Sequence, residues 1–219
     1  MKNIYLLLTL VGVMLTSTIS DASAQRTPSY TINDHEYCDQ HLTINVTQPC
    51  AHQNTTAPYK VGDLYNENGK EGVVFEVWDN GRHGKIVSLD ETILQWCTEE
   101  QDNKEIVLGL TDESDGKANT DKVMQRRDSD QYPAFVWCRT KGADWYLPAK
   151  DELKTIYNNK SKINSTLAEY GVKLKAFYWS SMESKYNPKV YAWGVYMHDG
   201  DTFNRYKNYR ICVRAVSTF

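Results

Sequence analysis

The sequence has little surplus of charge of either sign: 25 Lys and Arg stand against 28 Asp and Glu in 219 residues, a net charge of -3. A chain so balanced carries no electrostatic footprint for nucleic acid or for an anionic membrane surface. After residue 24 no apolar run approaches the roughly 20 residues that a membrane-crossing helix needs. The short motifs of common catalytic sites are also missing: no G-x-S-x-G elbow, no phosphate-cradling glycine loop, no H-E-x-x-H helix. These absences point away from a nucleic-acid binder, an integral membrane protein and the familiar hydrolases. They name no chemistry.

What is present begins at the N-terminus. Lys2, an apolar run over 4–15, and the small residues Ala22 and Ala24 form the pattern of a secretory signal peptide over 1–24, cleaved after Ala24. The expected localisation is therefore extracytoplasmic (periplasmic, secreted or cell-surface), where disulfides persist. Residues 25–57 form a polar N-terminal segment, poor in aliphatic side chains and unable to bury much core. His35, Cys38, His41, Cys50 and His52 lie within it as H-x2-C-x2-H-x8-C-x-H, which fits no standard zinc template. An oxidising compartment favours a Cys38–Cys50 disulfide there, so no metal is expected.

From residue 58 the texture becomes that of a folded domain, 58–219. Residues 72–78 and 84–89 read as two strands around an Asp79-Asn80-Gly81 turn. Asn119 or Thr120 could cap a helix running toward Arg127, and Pro133 opens a second helical stretch that Gly142 ends. Pro148 followed by Asp151 and Glu152 marks a strong helix start. Leu153, Ile156 and Tyr157 fall on one face of that helix, and Ile163, Leu167 and Tyr170 repeat the spacing. Strand-like runs return at 177–182, 190–197 and 211–216, with an Asp199-Gly200 turn between the last two. Strands, then helices, then strands predict an α+β fold with a mostly antiparallel twisted sheet.

Asp112, Glu113, Asp115, Asn119 and Asp121 crowd oxygen ligands that calcium would suit, but the EF-hand spacing is absent. No cofactor is expected, and the stretch is read as a solvated loop ending in a helix cap. Ser180 and Ser181 could hold a nucleophile only if a base converged on them. The one downstream histidine, His198, has Asp199 as its neighbour in sequence, which establishes no triad.

Six of the fifteen Tyr fall between 178 and 209, interleaved with Asn, Asp and Arg. Those residue types favour binding loops, because Tyr offers a large rigid contact and Asn adaptable hydrogen bonds. Aromatic faces beside Asn and Asp also suit sugar rings. Tyr186, Asn187, Asp199, Asp201, Asn204, Arg205, Tyr206, Asn208 and Tyr209 are accordingly the candidate ligand-binding residues. The period-2 alternation over 190–197 assigns Tyr191 and Trp193 to strand packing instead.

Several landmarks occur together: WYLPAKDEL at 145–153, YWSSME at 178–183, Ala192-Trp193, Gly200, and Val213-Arg214-Ala215-Val216 near the end. This order resembles the C-terminal domain of Legionella collagen-like adhesins, a family with a C-type-lectin-like fold, over about 59–219. The resemblance implies two helices packed on the sheet and a long-range disulfide, Cys138–Cys212, from a helix to the last strand. Cys97 would then be left over, a buried thiol by its neighbours Leu94 and Trp96 or a partner for intermolecular pairing. The E-P-N, Q-P-D and W-N-D triplets that hold calcium and sugar in the sugar-binding branch of C-type lectins are absent; Asn187-Pro188-Lys189 keeps only the proline. Formylglycine-generating enzymes share the broad fold but need a cysteine pair near the C-terminus, where this chain has Cys212 alone. The expectation is a secreted or surface-exposed, non-catalytic binding or adhesion module for an unidentified glycan or protein. The alternatives are a structural subunit of a surface appendage or envelope assembly and, third, an enzyme on a related fold.

Overall fold

The computed structural model describes residues 58–219. Its strands are β1 (Leu64–Glu67), β2 (Lys70–Trp78), β3 (His83–Val87), β4 (Thr92–Gln95), β5 (Phe177–Glu183), β6 (Tyr191–Tyr196), β7 (Thr202–Tyr206), β8 (Arg210–Val213) and β9 (Val216–Thr218). Between β4 and β5 lie α1 (Glu99–Asp102), α2 (Gly116–Met124), α3 (Pro133–Arg139), α4 (Lys150–Asn158) and α5 (Lys160–Glu169). The strands form two sheets, in the orders β1-β2-β3-β9 and β4-β8-β5-β6-β7. All strand pairs are antiparallel except β5 with β8, which run parallel where Tyr178 meets Cys212. The fold is α+β, with two sheets and five helices where the resemblance implies two helices packed on one sheet.

Local chemistry explains most boundaries. Alternation along β2 sends Val74 into one core and Val73 and Phe75 into another, and a register shift between Val74 and Glu76 lets Val77 pack on the same core as Val74. The turn after β2 needs Gly81, with φ of 79°, because a Cβ there would sit 2.2 Å from the Tyr59 carbonyl. Helix α2 starts earlier than expected. Asp115, not Asn119 or Thr120, is its cap, accepting from the Ala118 N–H at 2.8 Å. Asn119 and Thr120 lie fully buried inside the helix and bond neighbouring loops instead. The apolar spacing over 150–170 belongs to two helices. They break at Asn159, whose amide donates to the Phe75 carbonyl at 3.1 Å and the Thr155 carbonyl at 3.2 Å.

Two apolar clusters hold the domain. The first gathers Trp96, Tyr132, Phe135, Cys138, Trp179, Phe203, Ile211 and Val213, with Trp96 and Phe135 meeting edge to face at 4.9 Å. The second gathers Val73, Phe75, Tyr146, Leu153, Ile156, Ile163, Leu167, Tyr178 and Val195. Both long helices turn their apolar faces into this second cluster.

The Cys138–Cys212 disulfide that the resemblance implied is not formed; both residues, and Cys97, are free thiols. The pleat gives the reason. On β8, Ile211 and Val213 point into the first cluster, where Cys138 is wholly buried, so Cys212 between them points to the opposite face and packs against the second. The expected Cys38–Cys50 pair lies outside the described residues. Burial pushes the Cys97 thiol up to about 12 and raises those of Cys138 and Cys212 as well. At pH 8 the Cys97 thiolate fraction is then about one part in ten thousand. Alkylation of the native protein at pH 8 is expected to label half-buried Cys212 first, and Cys97 and Cys138 only after denaturant is added. Peptide mapping that finds Cys138 and Cys212 joined, or Cys97 labelled first, would contradict this arrangement.

Candidate binding face and its buried supports

Three of the five charged residues in the sequence landmarks, Glu152, Glu183 and Arg214, are buried, and each fastens a loop. Glu152, near the start of α4, accepts from the Ala149 N–H at 2.7 Å, the Gly116 N–H at 3.2 Å and the Tyr146 hydroxyl at 2.8 Å. Lys85 closes the set at 2.9 Å. Burial raises both the Glu152 carboxyl and the Tyr146 phenol, and Lys85 opposes that effect on Glu152. Gly116 has no room for a side chain here: a Cβ would lie 2.5 Å from the Ala149 nitrogen. Arg214, 2% exposed, meets Glu91 at 2.9 Å and donates to the Ser88 carbonyl at 2.9 Å. The Tyr178 hydroxyl donates to the same Glu91 oxygen at 2.5 Å, so three segments meet on one carboxylate.

Glu183 is the third support. A register shift in β5 between Trp179 and Glu183 turns its side chain inward. There it accepts from the Leu108, Gly109 and Leu110 N–H groups at 2.8–3.3 Å, fixing a loop that has no regular structure. Lys207 reaches it at 2.6 Å, and both side chains are nearly inaccessible. The same ammonium donates to the Pro188 carbonyl at 2.6 Å and lies 4.6 Å from the Trp96 ring. Trp96 is itself tied by its indole N–H to the Ser180 carbonyl at 3.0 Å.

Above this pair lies an aromatic strip. On β6 and β7, Tyr191 faces Tyr206 and Trp193 faces Asn204 across the ladder. Alternation places these four side chains on one face, while Ala192 and Phe203 fill the first core on the other. Farther along the same face, Val195 and Met197 enter the second core. The end that carries Tyr191 and Trp193 is left open. Tyr186 packs beside Trp193 with ring centres 5.8 Å apart, Tyr191 beside Tyr206 at 4.7 Å, and Tyr206 beside Tyr209 at 5.5 Å. Tyr186 is 72% exposed, Tyr209 50% and Tyr206 44%. The Tyr206 side chain, as hydrogen-bond partner, holds the Tyr191 phenol above the ordinary tyrosine value.

The nine candidate residues therefore divide. Tyr186, Asn204, Tyr206, Asn208 and Tyr209 gather on or beside the strip, and Asn187 turns the loop that carries Tyr186, its carbonyl accepting from the Tyr191 N–H at 3.0 Å. Asp199 and Asp201 do not join them. They sit at the far end of the β6–β7 hairpin, four residue pairs or about 14 Å from Tyr206. There Asp199 accepts from the Asp201 N–H at 2.9 Å and pairs with His198 at 2.7 Å. Arg205 points to the opposite face, 5.4 Å from the Phe203 ring, and donates to the Tyr196 hydroxyl. Tyr191 and Trp193, assigned to strand packing from the sequence, are only half-buried and belong to neither core. The signal that separates them from core residues is their alternation with Ala192 and Gly194. Small side chains admit a ring packed tightly beneath, as Phe203 is, and leave the aromatic face outward.

The other sequence candidates have partners within the protein. Asp112 accepts from the Ser114 and Asp115 N–H groups, bonds that hold its carboxyl below the usual range, and Glu113 pairs with Lys150 at 2.7 Å. Asp121 is bound by Lys117 and Arg139. Ser180 and Ser181 are wholly buried, and Ser181 accepts from Asn119, while His198 lies at the exposed hairpin turn. No serine–histidine pair converges among the described residues. An open cleft of about 320 Å³ is lined by Lys160, Asn164, Lys173, Lys175 and His198, but Lys160 is bound to the Met197 and His198 carbonyls at 3.0 and 3.1 Å.

Lys207 links both halves of the strip: its ammonium holds the loop after Tyr186, and its backbone continues into the turn that carries Asn208 and Tyr209. Its replacement by Met would leave Glu183 buried with backbone donors only. The expected cost is about 3 kcal/mol, or roughly 6–12 °C in Tm. Calorimetry of Lys207→Met beside Lys189→Met, whose ammonium pairs with Glu105 in solvent, measures it. Equal small losses in both variants would remove Lys207 from this role.

No curated protein matches the sequence. A family model does: the Lcl C-terminal domain, over residues 85–217. That span runs from β3 through β9 and contains the WYLPAKDEL, YWSSME and Val213-Arg214-Ala215-Val216 landmarks together with all three buried carboxylates. With the model matching more than half of the chain, the protein belongs to the Lcl C-terminal domain family.

Proposed function

We propose that this chain is a non-catalytic binding module of adhesin type, acting outside the cytoplasm or at a cell surface, and that it holds its ligand on the strip formed by Tyr186, Tyr191, Trp193, Tyr206 and Tyr209. The single observation that carries the reading is the strip itself. Three exposed tyrosines and two half-buried aromatic residues share one face, held by a buried ion pair instead of being folded into the core. Solvent-facing aromatic clusters of this kind mark interaction surfaces, because leaving them in water forgoes the burial that drives folding. Membership of an adhesin-related domain family agrees with it. The C-type-lectin-like fold is part of the same reading. A first sheet that joins early strands to the last one, and a second that carries the binding face, suit that fold. No helix among the described residues is long and apolar enough to cross a membrane.

The groups on the strip are rings, phenols and neutral amides, which suit contact and hydrogen bonding more than proton or group transfer. Glycan and protein arrays probed with the full mature chain test the face. Tyr206→Ala and Tyr209→Ala are each expected to weaken the recorded interactions by about tenfold, the value of one good aromatic contact. Both are exposed, so Tm should hold within a few degrees. Interactions that survive both substitutions unchanged would place the binding face elsewhere.

A further inference from the structure

Resting on that reading, we infer that the strip recognises single, soluble chains of uncharged sugar residues, and does so without a metal ion. The rings, their mutual tilts and the amides between them point to this ligand class. Tyr and Trp faces stack on the C–H faces of pyranose rings, and Tyr191 and Trp193, two residues apart on β6, stand about 7 Å from each other along the strand. Tyr206 and Tyr209 continue the row, so several successive sugar units would meet a ring each.

The tilts decide the form of the chain. Neighbouring rings are inclined by 57° for Tyr186 with Trp193, 54° for Tyr191 with Tyr206 and 44° for Tyr206 with Tyr209. None of these three pairs presents a common plane. A crystalline polysaccharide surface, which is flat, could touch one ring at a time. A free chain that turns as it runs can follow the whole strip, as the strand twist itself does.

The polar groups decide the charge. Asn204 stands on the strip between Trp193 and Tyr206, and Asn208 sits in the turn before Tyr209. Each buries its amide oxygen without a hydrogen-bond donor among the described residues. Such an oxygen is costly to leave unpaired. The geometry suits side chains that reorient when hydroxyl groups arrive, since a neutral amide both donates to and accepts from a sugar hydroxyl. The rings and amides of the strip carry no formal charge, and the one ammonium that reaches them, Lys185, lies 5.5 Å from the Tyr186 ring at the strip's end. Arg205 is turned to the other face, and Lys189 at the edge is paired with Glu105 at 3.2 Å. Metal-bridged recognition would need carboxylates on this face. Those nearest along the hairpin, Asp199 and Asp201, are bound in its far turn.

Affinity electrophoresis of the full chain through gels containing soluble mixed-linkage β-glucan, galactomannan or α-mannan tests the inference, with heparin, decaproline and microcrystalline cellulose as the other arms. At least one neutral soluble polysaccharide is expected to retard the chain, equally in EDTA and in molar NaCl, with no adsorption to the crystalline material. Trp193→Ala and Tyr206→Ala should each reduce that affinity by about tenfold or more, and exposed Tyr209→Ala provides a variant whose folding is not in question. Retardation by none of the neutral chains, or only by heparin with loss in salt, overturns the inference, as does capture by decaproline alone. Neutral-chain binding indifferent to all three variants overturns it too. A protein ligand on the arrays that is lost in Tyr206→Ala, with no neutral glycan bound, would sink the sugar assignment and leave the binding face standing.

Discussion

The Glu183–Lys207 pair is the constraint from which the surface of this domain follows. Bringing two opposite charges out of water is unfavourable unless their remaining hydrogen-bonding capacity is met. Here the carboxylate is met by three consecutive backbone N–H groups of the 108–110 loop, and the ammonium by the Pro188 carbonyl and the face of Trp96. The pair and its ligands come from four separate stretches of chain, at 96, 108–110, 183–188 and 207. Each helps to satisfy the others, so the irregular segments around them are tied to the strands. The aromatic strip is built on two of those segments.

The same device occurs at Glu152 with Lys85 and at Glu91 with Arg214. Glu152 takes donors from two loop N–H groups, from the Tyr146 hydroxyl and from Lys85, while the partly buried Glu91 takes the Tyr178 hydroxyl and Arg214. This changes the meaning of the sequence landmarks. Glu152, Tyr178, Glu183 and Arg214 stand out in the pattern that identifies the family, yet all four are inside the protein and none lies on the open face. They state how the loops are anchored. Apart from Trp193, the face is drawn from residues between the landmarks, so the family match speaks to the scaffold more than to the ligand.

Much of the fold is legible in the sequence. The helix start after Pro148, the paired strands around Asp79-Asn80-Gly81 and the order of strands and helices need only local preferences and spacing, and they stand. Other readings fail where a neighbour distant in sequence decides the outcome. Asn119 has the right chemistry for a cap but is drawn inside α2 by Asp112 and Ser181. The 150–170 spacing fits one helix until Asn159 bonds to β2. Cys138 and Cys212 suit a disulfide by resemblance alone, while the pleat of β8 sets them on opposite faces. Period-2 alternation assigns Tyr191 and Trp193 to packing, because it shows that a strand has two faces without showing which of them is covered.

The sequence by itself determined the kind of molecule: a neutral, aromatic-rich α+β domain whose signature ties it to one family. Composition and periodicity are local properties, and the family pattern is a set of residue types in a fixed order, both of which can be read along the chain. Which tyrosines reach solvent was settled by tertiary structure alone. It depends on where α4 and α5 stop covering the β6–β7 face, and on an ion pair between residues 24 positions apart whose backbone partners lie another 73–75 residues away. Exposure is a property of the whole packed arrangement, so no window of sequence contains it.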